Sequence, residues 1–207
     1  DPDLTRGLPP ALTAAGGMDA LAQLIEPFVS LRANPIVDAL CLRGMEAAGR
    51  GIARAVRDGK DREARAAMSL ASLLSGMALA NAGLGLAHAL SHPLGARFGI
   101  PHGVACAILL PSVMEFNLPA ATERLARAAA ALGAETAGLT AAAASRRGVE
   151  RVAALAKEIG IPGKLSAFGV KEPDLATIAR ESNGSSRSGN PRTASDEDCL
   201  ALLRSVL

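Results

Sequence analysis

The 207-residue chain has no tryptophan, no tyrosine and only four phenylalanines. That scarcity removes the aromatic platforms on which single-stranded nucleic acids stack. Charge of one sign is lacking too. Lysine and arginine total 22 against 20 aspartates and glutamates, a net +2, too weak a field to attract nucleic acid or an anionic membrane. The three cysteines, Cys41, Cys106 and Cys199, are odd in number, far apart and form no CxxC. They read as reduced, small hydrophobic residues of a cytoplasmic protein, not as a disulfide framework. No apolar run is expected to reach transmembrane length, and no segment reads as a signal peptide. The chain starts at Asp1 with no initiator Met, so it is expected to be the carboxyl-terminal part of a longer protein.

What is abundant is alanine and leucine, within a composition that is 49% hydrophobic, and both favour helix. Apolar residues recur at helical spacing from Gly17 to Ser30. Asn34-Pro35 reads as an N-cap followed by proline at the first helical position, opening a helix that runs to Asp58-Gly59. Asp61 caps the next, which continues to His92 and is apolar almost all round after Met68, so it is expected to be the central helix wrapped by the others. Pro101 to Glu115 forms a further segment with Pro111 as a kink or break, and Pro119 opens another that ends at Gly133. Thr140–Gly160 and Lys171–Glu181 follow. Residues 183–193 read as a polar loop, and Ser195 with Asp198 as a capping box for the last helix. No alternating strand pattern, internal repeat or heptad register is present. The fold class is all-α, with seven to nine helices.

The only three histidines, His88, His92 and His102, lie in one stretch, AHALSHPLGARFGIPHGVACAILLP. Imidazole is the commonest metal ligand. His88 and His92 are four apart and share a helical face. Pro93 is expected to end or kink that helix, and Gly95, Gly99 and Pro101 permit a turn that brings His102 back. Asp19 and Gln23 form a second pair at the same spacing. Asp19 sits in an apolar stretch, where a buried carboxylate is costly unless paired or bound to a cation. Together the two pairs can form a mixed N/O site suited to Fe²⁺, Zn²⁺, Mn²⁺ or Co²⁺, with His92 as a third imidazole ligand or as a residue lining the pocket. The same residues admit a plainer reading. Asp19 can be an N-cap after Gly16-Gly17, clustered histidines can be hydrogen-bonded core residues, and Gly103 can simply serve a tight turn.

The string GLAHALSHPLGARFGIPHGVACAILLPSVMEFN resembles the signature of the iron-containing, or group III, alcohol dehydrogenases. The opening DPDLTRGLPPALTAAGGMDALAQLIEPFVSLRANPIVDAL and the ending SGNPRTASDEDCLALL resemble segments of the same family's helical carboxyl-terminal domain, so the resemblance spans essentially the whole chain. It implies a multi-helix domain over residues 1–207, similar to that of dehydroquinate synthase, which carries the metal. It also implies an amino-terminal Rossmann-like domain, absent from this chain, which binds most of the NAD(P). The family's metal ligands map onto Asp19, position 23, His88 and His102, and His92 matches a histidine near the nicotinamide with a role in proton transfer or cofactor contact. Position 23 departs from the commonest pattern, because it holds Gln instead of His, and an amide oxygen is a harder and weaker donor.

The implied activity is interconversion of a small-molecule alcohol and an aldehyde or ketone, with Fe²⁺ or Zn²⁺ or another divalent metal, in a cytoplasmic homo-oligomer. These 207 residues alone are expected to be inactive. The alternatives are a metal-free reductase of the maleylacetate reductase type and a non-catalytic helical oligomerisation module.

Overall fold

The computed structural model describes residues 1–207. After a 3₁₀ turn at Pro2–Thr5 come nine helices: α1 (Pro10–Val29), α2 (Pro35–Arg57), α3 (Arg62–Ala82), α4 (Leu86–Phe98), α5 (His102–Ala131), α6 (Ala141–Glu158), α7 (Glu172–Glu181), α8 (Ser185–Gly189) and α9 (Asp196–Ser205). No strand is present, in keeping with the all-α expectation.

The caps legible in the sequence form. The Asn34 side chain accepts from Val37 N–H, that of Asp61 from Ala64 N–H, and Ser195 and Asp198 cap each other's backbone amides. Each satisfies a donor that the first turn of a helix cannot pair internally.

The centre of the molecule is α1, not the 61–92 stretch. Helix α1 packs against α2, α3, α4 and α5, and Met18, Leu21, Leu24, Ile25 and Phe28 are fully buried. Each such side chain contributes about 1.5–3 kcal/mol by leaving water. Helix α1 also begins at Pro10, seven residues ahead of the expected Gly17, which makes Asp19 a mid-helix residue and removes its reading as an N-cap.

The stretch expected to be one helix from Asp61 to His92 is two, α3 and α4, bent by 104° at Gly83–Gly85. Gly83 has φ +68°, and the Arg32 guanidinium occupies the space where a Cβ would stand. Only glycine adopts that backbone there without strain. Helix α3 is then peripheral, exposing Leu73 and Met77. Pro93 neither ends nor breaks α4, which runs on to Phe98.

The two segments expected on either side of Glu115 and Pro119 run together as α5 but meet at a kink two residues later than expected, while Pro111 leaves the first of them continuous. The kink lies at Ala121 (φ −137°, ψ 26°), two residues past Pro119, which cannot donate to the helical ladder. Helix α5 is long and apolar enough to cross a bilayer by length and composition, contrary to the expectation that no apolar run is. More than half of its apolar window is buried inside this fold. Helix α6 lies along α5, α7 pairs with α9, and the expected polar loop contains the short α8.

Candidate metal centre

Three elements meet at one point: the middle of α1, the first turn of α4 and the first turn of α5. The bend at Gly83–Gly85 aims α4 at α1, and the Gly99–Pro101 connection folds α5 back beside α4. The His88 and His102 rings come within 5.2 Å of one another, and those of His92 and His102 within 5.7 Å. Asp19 Oδ1 lies 3.5 Å from His88 Nε2 and 3.3 Å from His102 Nε2. Asp19 Oδ1 and His88 Nε2 are nonetheless buried without a hydrogen-bond partner. They converge on a shared point instead of bonding to each other. Buried polar atoms without partners are rare and costly.

Both converging imidazoles are oriented by their other nitrogen. His88 Nδ1 lies 2.6 Å from Glu26 Oε2. A carboxylate only accepts, so Nδ1 carries a proton, and Nε2 is the nitrogen left to face Asp19 and, once deprotonated, an ion. Glu26 is itself buried and accepts from the backbone N–H groups of Gly85 and Ala87 at 2.9 and 2.7 Å. On the other ring, Ser91 Oγ donates to the His88 carbonyl and stands 3.3 Å from His102 Nδ1, whose N–H it accepts. This frees His102 Nε2 in the same way. A carboxylate or hydroxyl behind each histidine is the usual outer arrangement of a metal-binding imidazole. No local motif singles out Glu26 or Ser91, although Asp19, Gln23 and Glu26 follow one helical face.

Gln23 sits beside Asp19. Its Nε2 donates to Asp19 Oδ2 at 2.9 Å and its Oε1 accepts from Ser75 Oγ at 3.1 Å. His92 is solvent-exposed next to His102. Cys106, which the composition marked only as a small hydrophobe, is fully buried one turn beyond His102, with Sγ 3.7 Å from His102 Nε2. Ligand atoms of Asp19, His88, His102 and Cys106 all lie within 4.8 Å of one another. Gly103 serves no turn. It is the second residue of α5, pressed against the α1 backbone.

The electrostatics favour anions and cations held together. Burial raises the Asp19 carboxyl, but His102 and His88 outweigh it and hold it below the ordinary carboxylate range. Burial opposes the His88 cation, yet Asp19, Cys106 and Glu26 push its pKa up to about 12. Asp19 and then Cys106 raise that of His102 to about 10 against its own desolvation. Burial raises the Cys106 thiol, and the two imidazoles reverse this and lower it. Cys41, by contrast, is pushed up to about 12 by burial and Asp38. His92 is lowered by partial desolvation and by the positive charge of His102 and His88. The centre thus favours positive charge, and two unpartnered buried atoms, two imidazoles anchored through Nδ1 and an anionic oxygen fit a divalent cation that takes the place of the ring protons.

Comparison with known proteins identifies the family of the chain. The family model described as Fe-containing alcohol dehydrogenase family, C-terminal, matches residues 13–207. The chain is 41% identical over 206 residues to 1,3-propanediol dehydrogenase of Klebsiella pneumoniae, covering 99% of this chain and 53% of that protein. It is 38% identical over 208 residues to NAD-dependent methanol dehydrogenase of Bacillus methanolicus, covering 100% and 55%. A crystal structure of 1,3-propanediol oxidoreductase superimposes with a TM-score of 0.98 at 39% identity, over all of this chain and 55% of that one. The chain therefore spans about half the length of the curated relatives it matches. With its histidine signature, helical architecture and profile in agreement along nearly its whole length, this chain belongs to the iron-containing alcohol dehydrogenase family, in the family's carboxyl-terminal region.

Proposed function

We propose that the protein carrying this chain is a metal-dependent, NAD(P)-linked alcohol dehydrogenase that interconverts an alcohol and an aldehyde or ketone. The observation that carries the reading is the convergence of Asp19 Oδ1, His88 Nε2 and His102 Nε2, two of them buried without partners. Those orphaned atoms favour it over a metal-free reductase. Asp19, His88 and His102 would hold the ion, Fe²⁺ or Zn²⁺, with Gln23 fixing the second oxygen of Asp19. The bound ion supplies Lewis-acid polarisation of the substrate oxygen. Most of the dinucleotide contacts are assigned to residues outside these 207, with His92 as this chain's residue at the nicotinamide.

The side chains supply the rest. Glu26 and Ser91 keep both Nε2 lone pairs aimed at one point, so no reorganisation is needed when substrate arrives. The buried wall of α1 and α4 excludes water from that side. His92, exposed beside His102, is suited to carry a proton between the substrate hydroxyl and solvent.

The test is metal analysis with a nicotinamide-linked activity assay of the intact protein. His88→Ala and His102→Ala are expected to lose both metal and activity, whereas activity undiminished after metal loss would end the proposal. His92→Ala separates the proton role from the metal role. It is expected to keep its metal and lose about 100-fold in kcat, the low end of what a general acid–base contributes. Unchanged kcat would remove His92 from the mechanism.

A further inference from the structure

We infer that Cys106, not Gln23, supplies the fourth donor of the metal centre, giving one carboxylate oxygen, two imidazole nitrogens and one thiolate sulfur from Asp19, His88, His102 and Cys106. The inference rests on the metal binding proposed above and concerns which side chains complete it.

Gln23 is engaged at both ends of its amide, with Nε2 on Asp19 Oδ2 and Oε1 on Ser75 Oγ. Turning the amide over to offer its oxygen to an ion would set that oxygen against the Asp19 carboxylate, acceptor against acceptor, and would forfeit the bond between them. Gln23 is therefore a positioning residue that holds Asp19 so that Oδ1 faces the histidines.

Cys106 is paired only with His102 Nε2, an atom that itself faces the proposed ion. It lies four residues after His102 on α5, so the two side chains share a face. Its sulfur is buried beside the unpartnered His88 Nε2 and 3.7 Å from His102 Nε2. Tetrahedral bonds of about 2.0 Å to nitrogen or oxygen and about 2.3 Å to sulfur separate neighbouring donors by about 3.3–3.6 Å. Three of the six separations, 3.3, 3.5 and 3.7 Å, lie close to those edges, and all six are within 4.8 Å. Charge is compatible: among the four donors, Asp19 and a Cys106 thiolate carry two negative charges toward a dication, with the buried Glu26 carboxylate standing behind His88. On binding, the thiol proton is released to solvent and the sulfur lone pair forms the bond. A donor set containing sulfur selects Zn²⁺ or Co²⁺ over Mg²⁺ or Mn²⁺.

Cobalt reads this directly. The full chain, stripped of metal and titrated with Co²⁺ alone, is expected to develop thiolate-to-cobalt charge-transfer absorption in the near ultraviolet that saturates at a single equivalent. Gln23→Ala is expected to keep that absorption. Cys106→Ser is expected to lose it and to bind Zn²⁺ at least about 100-fold more weakly, the upper end of the loss from removing an outer-sphere partner. Saturation by Co²⁺ without the absorption, or its persistence in Cys106→Ser, would overturn the assignment of Cys106 while leaving a metal site intact. No Co²⁺ uptake by the unsubstituted chain would overturn the metal reading as well. The unsubstituted spectrum needs no variant, so a poorly folded Cys106→Ser does not protect the inference.

Discussion

Glu26→Gln is expected to weaken Zn²⁺ binding about 10–100-fold, and Glu26→Ala to cost the fold about 3–5 kcal/mol. Glu26 binds no metal itself. Its two oxygens, 2% exposed with the rest of the residue, accept from Ala87 N–H, Gly85 N–H and His88 Nδ1–H. It thereby closes the first turn of α4 and fixes the His88 tautomer in one stroke. Truncation to alanine strands three buried donors at about 1–3 kcal/mol each, offset in part by water entering the vacated space.

The glutamine keeps the volume but replaces an acceptor by an –NH₂ group. Whichever way the amide lies, a donor then faces either the Ala87 N–H or the pair formed by Gly85 N–H and His88. If it faces His88, the ring shifts its proton to Nε2 or turns, and the metal loses its lone pair. Chemical denaturation measures the first loss and zinc competition against a chelator the second. A Glu26→Gln protein that binds Zn²⁺ as tightly as the unsubstituted one would show that His88 needs no partner behind it.

What the sequence made legible was local or dear. Caps at Asn34, Asp61 and Ser195 act over three residues, so their residue types announce them. Asp19 was visible because a carboxylate in an apolar helix is costly, and the histidines because there are only three.

What stayed hidden acts across the fold. Glu26 and His88 are 62 residues apart, and nothing near Glu26 names its partner. Cys106 reads as a core residue because it is one, and only the return of α5 to α1 brings its sulfur to the histidines. The i, i+4 spacing of His102 and Cys106 was the available signal, as was the single face shared by Asp19, Gln23 and Glu26. The break at Gly83–Gly85 was lost because glycine in an apolar run signals close packing as readily as a bend. Apolar periodicity likewise reported that residues 61–92 are hydrophobic without saying that α1 is the element others surround.

Gly103→Ala is expected to destabilise the protein by about 3 kcal/mol, the upper end of ordinary overpacking, and to abolish tight metal binding with it. A Cβ at Gly103 would stand 2.7 Å from the Ala15 carbonyl carbon, closer still to its oxygen, and 3.2 Å from Asp19 Cβ. These are mainly backbone atoms of a central helix, and they cannot swing aside as the end of a side chain would. The start of α5 must retreat from α1, carrying His102 away from Asp19.

Gly16 supplies the contrast. It lies in the same α1, is exposed, and an added Cβ there meets nothing within 4 Å. Gly16→Ala is therefore expected to stabilise by about 0.5–1 kcal/mol through the lower entropy of the unfolded chain, with metal affinity unchanged. Opposite signs for one added methyl group at two glycines, read by denaturation and by Co²⁺ titration, would tie the separation of α1 and α5 directly to the spacing of the ligands. If Gly103→Ala melted normally and still took up Co²⁺ as the unsubstituted chain does, the close approach of the two helices could not be what sets the distance from Asp19 to His102.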